Sequence, residues 1–394
     1  MNLMGKVTCP MVGKGQMLSE RMPITCFTIK YILKRCFIIC VVCLSCFYFT
    51  NKLPSSNESQ DIRTVDPRHM KEAENYATQV LSQKCRRNFV KEKMASLFPQ
   101  YKTHISPFIW KEKVKTVYHH HPPLGFNEYE SELHELLDLL PEVDLPETLK
   151  FQTCKRCVVI GNGGVLHKLK LGYFLDQFDI IIRLNNAPVL GYFEDVGSRT
   201  TMRLSYPEGA PKDEREYHPD SLFVAVIYKG ADFHWVKAMI KNESVPWWHS
   251  MFFWKEVPEK IPVNSNNFRM LNPLVMTETA LGLLQYPEPE NNWLWRLIWR
   301  HSLFSGWKKN IPTLGFTAVI MATHLCDEVS IAGFGYNLSQ PEVPLHYYES
   351  VRMDAMKKQK MHNVTSESVF LQKLIKQKVV TDLTGGIFCE FCKT

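Results

Sequence analysis

A chain of 394 residues has the length for one large or two medium domains with a real core, and its 45% apolar and 22% charged residues are ordinary for globular protein. The net charge of +7, part of it in the first 35 residues, suits an anionic ligand or a membrane surface. It is too diffuse to indicate a nucleic-acid partner, and no repeat or low-complexity tract points to a solenoid or disorder.

The N-terminus sets the compartment. Residues 36–50 (CFIICVVCLSCFYFT) are uncharged and apolar, and with 31–33 and the snorkelling Lys34 and Arg35 they approach the roughly 20 residues that span a bilayer. Lys6, Lys14, Arg21, Lys30, Lys34 and Arg35 precede the apolar run, and Lys52 is the nearest cation after it. Positive-inside logic predicts a cytosolic tail over 1–30, a transmembrane signal anchor over 31–50 and a lumenal remainder. A cleaved signal peptide is the other reading; the long basic n-region and the lack of an A-x-A-like site speak against it. The polar residues 51–65 read as a stem. Candidate glycosylation sites at Asn57, Asn242, Asn337 and Asn363 all fall on the lumenal side. So does an even set of cysteines, Cys85, Cys154, Cys157, Cys326, Cys389 and Cys392, as an oxidising compartment favours. Cys154-Lys-Arg-Cys157 has no second ligand pair nearby, so structural disulfides are preferred to a zinc or redox site.

Further along, a helix is predicted to begin after Asp66-Pro67 and run to about residue 84, and an amphipathic piece over 128–140 carries Leu133, Leu136, Leu137 and Leu140. His119-His120-His121 stands before two prolines, so the three rings cannot easily converge on one ion; a solvated loop is expected. Residues 158–160 form an apolar run that breaks at Gly161-Asn162-Gly163-Gly164. An amphipathic helix is predicted over 165–176 and a second strand over 180–184, giving a βαβ unit and a parallel sheet. Taken alone, the glycine turn is either an anion cradle at a helix start or a tight corner. Strands follow at 200–205 and 222–228, and the loop 206–211 sits at the end of the first, where open α/β sheets bind ligands. A helix over 232–241, a strand over 268–271 and a helix over 277–285 come next. Residues 291–309 hold four tryptophans among cations, which fits an interfacial segment, core packing or an extra exon of no consequence. A helix over 315–325 and a strand over 328–332, turning at Gly333-Phe334-Gly335, complete the reading.

Four stretches in order resemble the motifs of the animal sialyltransferases, which transfer sialic acid from CMP-sialic acid: 157–206; Pro312 through Cys326 to Gly335; His346-Tyr347-Tyr348-Glu349; and His362-x4-Glu367. The resemblance covers about residues 66–388. It implies an α/β, Rossmann-like variant of the GT-A fold, with a mainly parallel sheet flanked by helices, as a lumenal catalytic domain over 66–394. The implied place is the Golgi membrane, single-pass type II. Stretches such as SYPEGAP (205–211), FFWKEVPEKIP (252–262) and LNPLVMTETALGLLQYPEP (271–289) are most similar to the branch that acts on lactosylceramide. The implied reaction is an inverting transfer to the 3-hydroxyl of terminal galactose, giving ganglioside GM3. Other galactose-terminated glycolipids or glycoproteins are the alternative acceptors, an inactive donor-binding scaffold is the alternative of another class, and a homo-oligomer is possible in either case.

By this resemblance His362 is the general base and His346 the contact to the donor phosphate. A positioned histidine base contributes roughly 10²–10⁴ in rate. Asn162, Gly163, Gly164, Asn185, Thr313, Leu314, Gly315 and Gly333 are the implied donor-binding residues, with Tyr347, Glu349 and Glu367 in support. Disulfides Cys157–Cys326 and Cys85–Cys154 are implied, the first tying the two halves of the donor site and worth roughly 4–5 kcal/mol. Cys389 and Cys392 are left to pair with each other, to pair between chains, or to stay free. No D-x-D motif occurs, and CMP carries one phosphate, so neither metal nor cofactor is expected. Two positions depart from the family, Leu314, where a hydroxyl is common, and Val165, in place of an asparagine in some relatives; Asp195 is the residue common across the family and departs only from the mammalian lactosylceramide branch, which carries histidine there.

Overall fold

The computed structural model describes residues 66–143, 145–288, 311–336, 340–358 and 361–392. The anchor, the stem, the Trp-rich 291–309 and the sequons Asn57 and Asn337 lie outside them. No helix among the described residues is long and apolar enough to cross a membrane.

Seven strands form one sheet: β1 (Arg156–Ile160), β2 (Ile180–Leu184), β3 (Met202–Ser205), β4 (Leu222–Ala225), β5 (Phe268–Met270), β6 (Glu328–Ala332) and β7 (Val380–Asp382). Their order is β5-β4-β3-β2-β1-β6-β7, and every pairing is parallel. Strand residues alternate between two packed faces. Cys157 and Val159 join one apolar cluster and Val158 and Ile160 another, which is why the strands read as continuous apolar runs.

Helices α1 (Pro67–Ser82), α2 (Phe89–Leu97), α3 (Glu130–Leu137), α4 (Gly230–Lys241), α5 (Pro273–Thr277), α6 (Leu314–Leu325) and α7 (Val364–Lys376) cover the faces. Asp66 caps α1, accepting from the Arg68 amide, with Pro67 at the first helical position. Apolar nearly all round, α6 is buried at ten of its residues, as a helix laid across the centre of a sheet should be. The helix expected over 277–285 begins earlier, at Pro273 behind the Asn272 cap, and passes into a π-type turn over Glu278–Leu283. Sequence reading named neither α2, α7 nor β7.

The predicted helix over 165–176 is not there. A 3-10 turn (Gly164–Leu166) and a single helical turn (Gly172–Leu175) stand in its place, separated by Lys168 and Lys170 at φ 59° and 56°. The buried Asp195 carboxylate accepts from the Lys168 and Lys170 amides at 2.8 and 3.0 Å, so a distant side chain takes donors that a helix would have used. Leu166, Leu169, Leu171 and Leu175 still reach the core, from turns instead of one helical face.

Buried Arg183 and Arg203 fix the loops beyond β2. Arg183 donates to the carbonyls of Val196, Gly197 and Arg199, and burial pushes its guanidinium down to about 10. Arg203 donates to the carbonyls of Asn185 and Ala187 and lies 3.6 Å from Glu216.

Disulfides join Cys85 to Cys154, Cys157 to Cys326 and Cys389 to Cys392. Cys326 caps the C-terminus of α6. The Cys157–Cys326 bridge therefore holds α6 at the end opposite its Thr313 start, about 18 Å away along the helix. It positions the helix; it does not clasp the two halves of the site directly.

Candidate active site

Strand order reverses between β1 and β6, and the strand ends there point their loops into one crevice, the place where open parallel sheets bind ligands. A cavity of about 550 Å³ opens at that point. Gly161, Asn162 and Gly163 after β1 and Gly333, Phe334 and Gly335 after β6 form its floor. Asn185, Tyr206, Gly209 and Tyr228 follow from the ends of β2, β3 and β4, Thr313 to Phe316 from the start of α6, and His346, Tyr348, Glu349, His362 and Glu367 from the later segments. All four motif stretches meet in one place.

The glycine turn serves packing more than anion binding. Gly161 N–H donates to Ala332, Gly163 N–H to Gly333 and Gly164 N–H to Leu345, at 2.8 to 3.0 Å. A Cβ on Gly161 or Gly163 would lie 2.5 or 2.6 Å from the Gly333 carbonyl oxygen, so only glycine lets these loops touch backbone to backbone. Gly163 lines the cavity and Gly164 does not, and the amides of both are already engaged.

A better donor set stands at the start of α6. Thr313 caps this helix, its hydroxyl oxygen accepting from the Phe316 amide at 3.1 Å. The same hydroxyl donates to Glu367, whose other oxygen accepts from the Thr313 amide at 2.8 Å. The Thr313 side chain is thus spent on the cap, and the amides of Leu314 and Gly315 are what the helix start presents to the cavity. A hydroxyl at 314 is unnecessary for that contact. Burial pushes the Glu367 carboxyl up to about 7, against the lowering effect of its Thr313 hydrogen bonds.

The two histidines are held differently. His346 is bridged to the glycine turn through Gly163, stacks on Tyr348 at 5.4 Å between ring centres, and pairs through Nδ1 with Glu349. His362 Nδ1 lies 2.8 Å from the Ile311 carbonyl oxygen. A carbonyl only accepts, so Nδ1 carries the hydrogen and the lone pair of the neutral ring sits on Nε2. Burial lowers the imidazole below its ordinary value and outweighs the raising effect of that hydrogen bond, which favours the neutral, proton-accepting ring.

Asn162 donates to the Tyr348 phenol oxygen at 3.4 Å, while its own Oδ1 is buried without a partner among the described residues. A buried orphan acceptor in a cavity wall is suited to a ligand hydroxyl or amino group. Asn185, at φ 50°, turns its side chain toward the cavity and accepts from the Ser205 hydroxyl at 3.3 Å. Tyr347 faces away, its hydroxyl donating to Pro188 at 2.6 Å and its amide to Asn162, so it clamps the motif loop to the glycine turn.

Asp195 and Val165 lie outside the cavity lining, so these two departures bear on support. Of the described sequons, Asn242 is exposed at the C-cap of α4, and Asn363 caps α7 by accepting from the Ser366 amide. His121 donates from Nδ1 to the Asn127 carbonyl oxygen within a loop, as the reading of the histidine run expected. Among the described residues the one three-member cluster of metal-ligating types is His69, Cys389 and Cys392, and its cysteines are bonded to each other. Sequence reading missed Tyr228, Trp254 and Lys255 as cavity residues. It also missed the buried Lys229, which sits 2.7 Å from Glu208 and 2.9 Å from Asp232 beneath that wall. Burial raises both of these carboxyls. A lysine after the apolar run 222–228 and the aromatic run 247–254 were the available signals.

Fold and motif geometry define a nucleotide-sugar transferase, and residues 106–379 match the profile of glycosyltransferase family 29 (sialyltransferase): the chain belongs to that family. It is 52% identical over 346 residues to a lactosylceramide alpha-2,3-sialyltransferase from Homo sapiens, covering 86% of this chain and 80% of that one. A CMP-N-acetylneuraminate-beta-1,4-galactoside alpha-2,3-sialyltransferase from Homo sapiens is 40% identical over 309 residues, 77% of each chain. A crystal structure of a mammalian sialyltransferase superposes with a TM-score of 0.56 at 21% identity, covering 76% of this chain and 98% of that one. That likeness shows the shared fold.

Proposed function

We propose that this enzyme transfers sialic acid from CMP-sialic acid to the 3-hydroxyl of the terminal galactose of lactosylceramide, giving ganglioside GM3. One observation carries the reading: His346, His362, Asn162 and the α6 start line a single cavity in a chain 52% identical to a protein named for that reaction. In the mechanism, the galactose oxygen bonds to the anomeric carbon of sialic acid as the bond from that carbon to the CMP phosphate oxygen breaks. The electron pair leaves with CMP, the hydroxyl proton passes to His362 Nε2, and one displacement inverts the configuration. His346, oriented by Glu349, serves the departing phosphate, while the Leu314 and Gly315 amides receive an anionic group of the donor and Asn162 and Asn185 its CMP moiety. A single phosphate served by these groups needs no metal, so the proposal includes none. Gly333 completes the floor.

The proposed setting is the Golgi membrane, with residues 31–50 as a type II anchor and the catalytic domain in the lumen, carrying glycans at Asn242 and Asn363. Full-length enzyme given CMP-sialic acid and lactosylceramide in the presence of a chelator should form GM3. Transfer to glycoprotein galactose but not to lactosylceramide would replace the acceptor, and loss of turnover on chelation would overturn the metal-free mechanism.

A further inference from the structure

Five of the twelve large apolar side chains exposed among the described residues fall between 247 and 254: Trp247, Trp248, Met251, Phe252 and Trp254. They belong to the run PWWHSMFFW, which leaves the end of α4 by way of Pro246. Phe253 turns inward, 9% exposed, with the Lys229 ammonium 4.8 Å from its ring and Ile261 in the same cluster, and His249 stacks on His234 of α4 at 3.9 Å. The loop is therefore anchored from beneath while Trp247, Trp248 and Met251 stand 69%, 50% and 66% exposed. Scattered apolar residues on a surface are ordinary; a contiguous patch rich in tryptophan marks a docking site.

We propose that this loop docks on the interfacial zone of the phospholipid bilayer that carries the acceptor lipid. The inference rests on the glycolipid reading of the acceptor and on residues 31–50 as an anchor. Three observations select a bilayer as the occupant. Trp254 and Lys255 belong both to the aromatic loop and to the cavity wall, so the patch is continuous with the site that must receive a sugar still attached to a lipid. Tryptophan with adjacent lysine is the composition of the membrane interface, and here the Lys255 ammonium lies 5.4 Å from the Trp254 ring. The expected stem over 51–65 reaches at most about 50 Å when fully extended, which keeps the domain within range of the bilayer. Asn242 lies five residues before Trp247, so a glycan there borders the patch and does not grow from it.

The test uses the full chain reconstituted in phosphatidylcholine vesicles, with W247A/W248A/M251A compared to wild type. These three side chains are exposed and lie outside the cavity lining. Transfer to vesicle-borne lactosylceramide should fall about tenfold, with transfer to dissolved methyl β-lactoside changed less than about twofold. Equal loss on both acceptors, or loss on neither, overturns docking. A second readout is independent of turnover: dibrominated phosphatidylcholine should quench tryptophan fluorescence in wild type and quench a smaller fraction in the variant. Equal fractional quenching overturns docking, as does a variant that changes only the cross-linked oligomer, because a second copy would then cover the patch. If wild type sialylates neither lactoside, the acceptor reading fails, and the quenching alone decides the docking.

Discussion

His346 and His362 line one cavity but are set in opposite ways. His346 comes on a loop strapped to the glycine turn, faces a carboxylate through Nδ1 and stacks on Tyr348. His362 stands just before α7, faces a carbonyl through Nδ1, and is depressed by burial toward the neutral ring. In the proposed mechanism the same side chain is fitted to two tasks, one beside an anionic leaving group and one at a hydroxyl that must lose its proton. The partner on Nδ1, more than the histidine, tells the two apart.

His362→Ala should break that comparison most sharply. Removing a positioned base costs about 10²–10⁴ in kcat, with donor binding little changed, as single-turnover and donor-binding measurements would show. The pH profile adds a sign. The base is active when neutral, and its imidazole is depressed, so activity should be lost on acidification below 6.5 and not at it. An acid limb centred above 6.5 would remove His362 from the role.

The bridge behind α6 comes next. Replacing Cys157 and Cys326 by alanine frees a loop closed across a separation of 169 residues and should cost about 4–5 kcal/mol in chemical denaturation. Because the bridge lies at the far end of the helix from Thr313, the folded variant should keep its donor affinity. A donor affinity that falls in step with stability would mean that the bridge shapes the site itself.

His346→Ala should cost about 10²-fold in turnover if it serves the leaving phosphate. Glu349→Gln keeps the ring and changes only its partner, and should cost less. Equal losses in the two variants would assign the effect to loop position, and the contrast between the histidines would then reduce to one base and one strap.

Much of this was legible in the sequence, and the failures share a cause. The apolar runs gave six of the seven strands, and the four motif stretches line one cavity. Periodicity misread 165–176 because Leu166, Leu169, Leu171 and Leu175 are buried whether they come from a helix or from turns. What broke the helix was Asp195, far along the chain, taking the amides of Lys168 and Lys170. The glycine turn stayed open between cradle and corner for the same reason: its amides meet carbonyls at the end of β6 and before the third-motif loop, which no local pattern reveals. α7 was within reach: Asn363 as a cap followed by Leu371, Leu374 and Ile375 is a helix signal, and reading Asn363 only as a sequon hid it.

Glu367 joins the His362 segment to the helix start, and it offers the finest test. It holds both the amide and the hydroxyl of Thr313, so it fixes where the Leu314 and Gly315 amides stand. Its carboxyl rises from 4.5 to about 7 on folding because burial outweighs those bonds. A raised carboxyl favours the protonated fold: its contribution is fully present below about 4.5 and is lost as pH rises through about 7. Glu367→Gln mimics the protonated group and cannot lose it. Urea denaturation should therefore find the variant within about 1 kcal/mol of wild type at pH 5 and about 3 kcal/mol more stable at pH 8. Donor affinity should be retained, because the amide can accept from the Thr313 N–H and donate to its hydroxyl oxygen. If the glutamine variant is instead less stable at pH 8, the ionised carboxylate is what holds the cap, and the helix start depends on a charge that the cavity would share with the donor.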